Sequence, residues 1–187
     1  SLTRMQTGKY DLLIHGGLVV DGTGTPGVTA DIAVVDGRIV AIGDLAGSGA
    51  TEVIDATGKV VCPGFVDPHT HYDAQLFWDP YATPSCQHGV TSVVMGNCGF
   101  ALAPCRPEQQ EWLARCLEAV EDIPVEAMMA GINWTWETIP QYLDNVEKLP
   151  KAINYGAFLG HSALRMYTMG DRALTETANE DDLKHMG

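Results

Sequence analysis

The sequence predicts an α/β protein, with a small β-sandwich over residues 1–62 and the opening strand-and-helix units of a parallel sheet over residues 63–187. Three observations carry this. Short apolar runs punctuated by glycine fill residues 10 to 62. From Pro63 the rhythm changes to strand-like runs alternating with helical ones. The first of those runs, Phe65-Val66, leads into two histidines one residue apart, His69 and His71.

In the first segment, Asp11 to His15 and Leu18 to Val20 read as strands broken by Gly16-Gly17. Asp31 to Val35 and Arg38 to Ile42 form a hairpin around Asp36-Gly37, because a type I′ turn needs positive φ at both central residues. Glu52 to Asp55 and Lys59 to Cys62 add two short strands around Ala56-Thr57-Gly58.

In the second segment, Phe65 to Pro68 is the first strand. Residues 80 to 88 predict a short helix stopped by Gly89. Thr91 to Met95 is a strand rich in β-branched residues, closed by Gly96. Pro107 to Val120 has proline at its start, acids early, and Trp112, Leu113, Cys116, Leu117 and Val120 on one face, which predicts a helix. Residues 124 to 130 and 137 to 148 predict two more, split by a stretch in which Trp134 and Trp136 are expected to pack inside rather than line a pocket. Ala152 to Leu159 is a third strand, ending at Gly160-His161. A short helix follows, and another begins at Ala178.

The chemistry-bearing residues fall where these strands end. Side chains at i and i+2 of an extended strand share a face, so His69 and His71 point the same way and Thr70 turns aside. In a closed parallel barrel the C-terminal strand ends form the active-site mouth. Two imidazoles there make half of a metal site. Cys98 follows the second strand between Gly96 and Gly99, which let backbone approach closely, and it reaches the same mouth. Asp67 shares the strand face with His69 and is either a helper or a capping carboxylate.

These motifs resemble the amidohydrolase superfamily and, within it, the N-acyl-D-amino-acid deacylases (D-aminoacylases). The resemblance rests on Gly64-Phe65-Val66-Asp67-Pro68-His69-Thr70-His71, on Gly89-Val90-Thr91-Ser92-Val93-Val94-Met95-Gly96-Asn97-Cys98-Gly99, and on Gly160-His161-Ser162-Ala163-Leu164-Arg165. It runs from about Tyr10 to the last residue. The first motif marks the superfamily; the cysteine motif is specific to the deacylase branch.

The resemblance implies a TIM (β/α)8 barrel preceded by a composite β-sandwich, one or two zinc ions, and hydrolysis of an amide such as an N-acyl-D-amino acid. It implies His69, His71 and Cys98 as metal ligands, Cys98 on the tightly held zinc. It also places two further histidines and the aspartate that serves as base and acid beyond Gly187. A full barrel takes about 250 residues, and the residues from Pro63 onward number about 125. The chain is therefore expected to be an incomplete fold, completed by a complementary chain or by the rest of a longer protein.

Secondary candidates are weaker. His161 ends the third strand and is a possible catalytic or substrate-orienting group. Arg165 is set either to hold a substrate carboxylate through its fork or to pair on the surface. Tyr72 and Asp73 follow the ligand pair closely enough to line the pocket. His88 caps a helix end, His15 and His185 are expected in solvent, and Cys62, Cys86, Cys105 and Cys116 read as small core residues.

The formal net charge of −13, with a pI near 4.6, argues against a nucleic-acid backbone or an anionic membrane surface as partner. No apolar run approaches the ~18 residues of a membrane span. Five cysteines without a C-x-x-C pair, and no secretory leader in view, point to free thiols in a reducing cytoplasm. Two rivals remain at this stage: a cyclic-amide hydrolase of the hydantoinase or dihydroorotase kind, against which Asn97-Cys98-Gly99 speaks, and a non-catalytic scaffold subunit.

Overall fold

The computed structural model describes residues 10–187. The chain divides after Pro63 into two units.

The first unit holds β1 (Tyr10–Val19), β2 (Val28–Val35), β3 (Arg38–Gly43), β4 (Ala50–Asp55) and β5 (Val60–Val61). They form one sheet in the order β3-β2-β1-β4, with β5 also on β1. The β1–β2 and β2–β3 pairs are antiparallel, whereas β4 and β5 run parallel to β1. Asp36 and Gly37 both take positive φ, 50° and 70°, as the expected hairpin turn demands.

One expectation needs correction here. The two strands anticipated on either side of Gly16-Gly17 are a single strand, and the glycines mark a register shift between Ile14 and Gly17 instead of a break. Gly16 accommodates the irregularity at φ +72°, and its N–H donates to Asp31 Oδ1 at 2.8 Å. Among the described residues the five strands form a single sheet. Ile39 and Val40, on opposite faces of β3, are 63% and 53% exposed. This sheet therefore has apolar surface on both sides and a small core around Tyr10, Leu13 and Ala33.

The second unit is built on a parallel sheet of β6 (Phe65–Asp67), β7 (Val90–Met95) and β8 (Asn154–Ala157), in that order. Its helices are α1 (Gln110–Glu121), α2 (Val125–Gly131), α3 (Ile139–Glu147), α4 (His161–Met169) and α5 (Glu180–Met186). Thr138 caps α3, accepting from Gln141 N, and Asn179 caps α5 from both Asp181 N and Asp182 N. The helix anticipated over residues 80 to 88 is only a 3-10 turn, Ser85–His88, closed by Gly89 at φ +83°. Ala82 at φ +51° and Pro84, which has no N–H, prevent a longer helix.

Leu76, Val93, Met95, Leu102, Leu117, Met128 and Val146 are fully buried between sheet and helices. Trp136 packs in this core, stacked on Phe77 and edge-on to Tyr142, with its Nε1 donating to Leu102 O at 2.8 Å. Phe65 and Val66 are 62% and 63% exposed. A parallel strand is ordinarily covered on both faces, so this sheet too presents apolar surface.

Candidate metal centre

The ends of β6 and β7 come together because these strands pair in parallel, Asp67 opposite Val93. Beyond Asp67 the chain leaves the sheet, and Thr70 fastens it back. The Thr70 N–H and Oγ1 both donate to Val94 O, at 3.0 and 2.8 Å. Thr70 is buried, and the residues on either side of it turn outward: His69 is exposed and His71 half-buried. The alternation anticipated from the His-x-His spacing is present, although the histidines lie in the loop after the strand. Asp67 acts as a local cap, its Oδ1 accepting from His69 N at 3.2 Å.

Cys98 is brought to the same place by a tight turn after β7. Gly96, Cys98 and Gly99 all take left-handed backbone, with φ of 74°, 56° and 82°. At Gly96 the conformation and the space both require glycine, since an added Cβ would collide with the main chain of Phe158. Cys98 has a Cβ and holds φ +56° at a cost. Asn97 braces the turn, its Nδ2 donating to Val94 O at 2.8 Å and to Thr70 O at 3.2 Å.

The outcome is a cluster. His69 Nε2 lies 3.2 Å from Cys98 Sγ, the two imidazole rings are 5.5 Å apart edge to face, and the ligand atoms of His69, His71 and Cys98 all fall within 4.8 Å of one another. Ligand atoms around a tetrahedral zinc are about 3.3–3.8 Å apart, so small side-chain rotations bring the three to bonding positions. His71 Nδ1 is buried without a hydrogen-bond partner, as befits a nitrogen set up for an ion or an outer acceptor. Two imidazoles and a sulfur suit a borderline-soft ion such as zinc, and exposure on one side leaves room for further ligands. The residues present fit the metal.

Asp73 sits beneath this cluster. It is wholly buried, and burial pushes its carboxyl up to about 7, partly offset by the Gly96 N–H. Oδ2 accepts from Gly96 N at 3.2 Å, while Oδ1 has no partner. Tyr142 donates its hydroxyl to the Asp73 carbonyl at 3.0 Å, and burial raises that phenol well above its ordinary value. Burial takes Asp73 off the pocket wall expected for it, and the anchoring hydrogen bonds of Thr70 and Asn97 are not read from the sequence. The available signal was the Gly-Asn-Cys-Gly run, because asparagine side chains close turns onto nearby main chain.

The remaining candidates are placed as follows. His161 is the first residue of α4 and exposed; a Cβ at Gly99 would lie 3.7 Å from its Cβ. Tyr72 packs its ring on the core and shares a hydrogen bond of 2.6 Å with Ser85 Oγ. Arg165 Nη2 donates to the main-chain carbonyls of Ala173 and Glu176, at 3.0 and 2.8 Å, tying down the segment after α4. His88 is the last residue of its 3-10 turn, whose C-terminal cap is Gly89. Cys105 is buried, and burial raises its thiol to about 12, whereas Cys62 is exposed instead of sitting in the core.

Comparison with known proteins decides the family. The family model described as "Amidohydrolase family" matches residues 52–187. This chain belongs to the amidohydrolase family. Within it, the chain is 37% identical over 185 residues to the D-aminoacylase of Alcaligenes xylosoxydans xylosoxydans, covering 99% of this chain and 36% of that protein. It is 38% identical over 172 residues to the N-acyl-D-glutamate deacylase of the same organism, covering 92% and 33%. An uncharacterised protein of Mycobacterium tuberculosis is 40% identical over 177 residues, covering 92% and 28%.

Among solved amidohydrolase structures, a D-aminoacylase mutant in complex with copper chloride matches with a TM-score of 0.76 at 36% identity, covering 94% of this chain and 34% of that one. The N-acyl-D-glutamate deacylase of Bordetella bronchiseptica, complexed with zinc and a phosphonate mimic of the tetrahedral intermediate, matches with a TM-score of 0.77 at 32% identity, covering 97% and 35%. The chain thus corresponds to the N-terminal portion of the D-aminoacylase branch and spans about a third of its relatives' length.

Proposed function

We propose that these residues form the N-terminal part of a zinc-dependent enzyme that hydrolyses N-acyl-D-amino acids. The observation that carries this reading is the convergence of His69, His71 and Cys98 within 4.8 Å, in a chain whose relatives include D-aminoacylase and the N-acyl-D-aspartate and N-acyl-D-glutamate deacylases. The apolar surface left bare on Phe65 and Val66 supports a barrel whose remaining units, with the remaining metal ligands, come from outside these residues, as the continuation of the same polypeptide or as a companion chain. Five free cysteines favour a cytoplasmic setting.

His69 and His71 would present neutral imidazole to the ion, and Cys98 a thiolate. When bound, zinc polarises the scissile carbonyl and makes water acidic enough to deprotonate near neutral pH. The chain's own part is to hold and orient. Thr70 and Asn97 lock the two ligand-bearing turns to Val94, which fixes the donor positions before any substrate arrives. His161, exposed at the first position of α4, would meet an anionic or carbonyl oxygen of the substrate at a helix start, where anions are favoured. Tyr72 contributes shape through its ring.

The test is amide hydrolysis by the full-length protein, assayed on paired D and L N-acetyl amino acids with and without a chelator. Release of the free D-amino acid, lost on chelation and restored by zinc, is expected. Equal turnover of both enantiomers, or turnover indifferent to chelation, would count against the reading.

A further inference from the structure

The geometry points to Asp73 as a positioning residue for the Cys98 thiolate, acting through the Gly96 amide. The inference rests on the reading of Cys98 as a metal ligand. Cys98 is held in left-handed backbone at φ +56° between Gly96 and Gly99, themselves left-handed. Such a conformation persists only where its surroundings over-determine it. Most of the bracing found at this turn comes from main-chain oxygens: Asn97 Nδ2 reaches Val94 O and Thr70 O, and Phe100 N reaches Asn97 O at 2.9 Å. The exception is Asp73, a fully buried side chain whose Oδ2 accepts from Gly96 N at 3.2 Å.

Asp73 is itself held from the other side. Tyr142 on α3 donates to its carbonyl at 3.0 Å, and Tyr142 packs against Trp136. The core is thereby linked through Tyr142 and Asp73 to Gly96, two residues before the sulfur. A buried carboxyl is costly to keep, and the Gly96 N–H makes the one hydrogen bond found to its two oxygens. Its retention here makes sense as an acceptor for an N–H that β7 pairing leaves over. Outer-shell groups of this kind are typically worth about 10–100-fold in metal affinity.

The experiment loads the full-length protein with cobalt(II) in place of zinc, and reads the near-ultraviolet sulfur-to-cobalt charge-transfer band together with cobalt affinity by chelator competition. Asp73→Asn keeps an oxygen for the Gly96 N–H and is expected to keep the band and the affinity. Asp73→Leu removes the acceptor and is expected to weaken affinity by about 10–100-fold and to diminish the band. In a Cys98→Ser background the same leucine should cost nothing further, because its route runs through the sulfur. An Asp73→Leu protein with wild-type band and affinity overturns the inference. Absence of the band from the wild type instead removes Cys98 as a ligand, which is a failure of the underlying reading. Should the leucine variant not fold, hydrogen exchange at the Gly96 amide of the wild-type protein decides: slow exchange is expected, and exchange as free as in an open loop overturns the inference.

Discussion

His69 Nε2 and Cys98 Sγ lie 3.2 Å apart, 29 positions from each other along the chain. Parallel pairing of β6 with β7 sets the ends of the two strands side by side, Asp67 opposite Val93. From there the routes differ. The histidine stands two residues past its strand partner, the cysteine five past its own, and the left-handed turn from Gly96 to Gly99 folds the longer route back. The juxtaposition is therefore a product of sheet register plus one strained turn, and both can be perturbed separately.

The first expectation concerns which cysteine matters. In the full-length protein Cys98→Ala should abolish tightly held zinc, while Cys116→Ala, half-buried on α1 away from the cluster, should leave the zinc stoichiometry unchanged. Metal content by atomic emission after exhaustive dialysis checks this. Equal loss from both variants would remove the cysteine from the site.

Thiol reactivity gives an independent view of the same residue. Burial holds the Cys105 thiol near 12 and also raises that of Cys116, so at pH 8 neither supplies appreciable thiolate, the reactive form. Cys98 is exposed. Iodoacetamide at pH 8, followed by peptide mass mapping of the native protein, should label Cys98 in the metal-free form, spare Cys105, and lose the Cys98 label once zinc is added. Labelling of Cys98 that zinc does not slow would contradict ligation.

Much of this was legible in the sequence, for identifiable physical reasons. The i, i+2 spacing of His69 and His71 survives their displacement from the strand into a loop, because buried Thr70 between them anchors to Val94 O and enforces the same alternation. The Asp36-Gly37 hairpin is encoded in two adjacent residues and formed as expected. The continuity of β1 across Gly16-Gly17 was not, since it depends on Asp31, fifteen positions away, accepting the Gly16 N–H. Likewise Arg165 finds its partners in the main-chain carbonyls of Ala173 and Glu176, which have no sequence signature. The role of Asp73 depended on burial, which its neighbours along the chain do not announce.

Gly96 offers a sharper test of the turn. Alanine there must adopt φ +74° and place its Cβ into the Phe158 main chain at the end of β8. The left-handed conformation alone costs about 1–2 kcal/mol, and the collision adds to it. Gly96→Ala should therefore lower the denaturation midpoint and displace Cys98, so that zinc affinity falls along with stability. Gly37→Ala, in a left-handed turn with open space around it, should cost stability alone. Calorimetry and zinc titration of the two variants compare them; an unchanged zinc affinity in Gly96→Ala would show that the turn tolerates a Cβ.

The last expectation concerns pH and the β-sheet unit. Asp31 is buried, and its carboxylate accepts from Gly16 N at 2.8 Å and Leu45 N at 3.0 Å while lying 2.8 Å from His15 Nδ1. The Gly16 amide above all, then the Leu45 amide and His15, hold its pKa below the ordinary carboxylate value of 3.8. A group whose folded value is depressed stabilises the fold fully above the unfolded value, and that stabilisation fades as the pH falls through the folded one. Asp31→Asn should therefore destabilise the sheet at pH 7, by up to about 1.5–3 kcal/mol as for other hydrogen bonds to charged groups. The difference from wild type should narrow as the solution is acidified below about pH 4. Hydrogen-exchange protection of the Gly16 and Leu45 amides, corrected for intrinsic rates, measures it locally; a gap that widens on acidification would mean that the carboxylate form is not the one the sheet prefers.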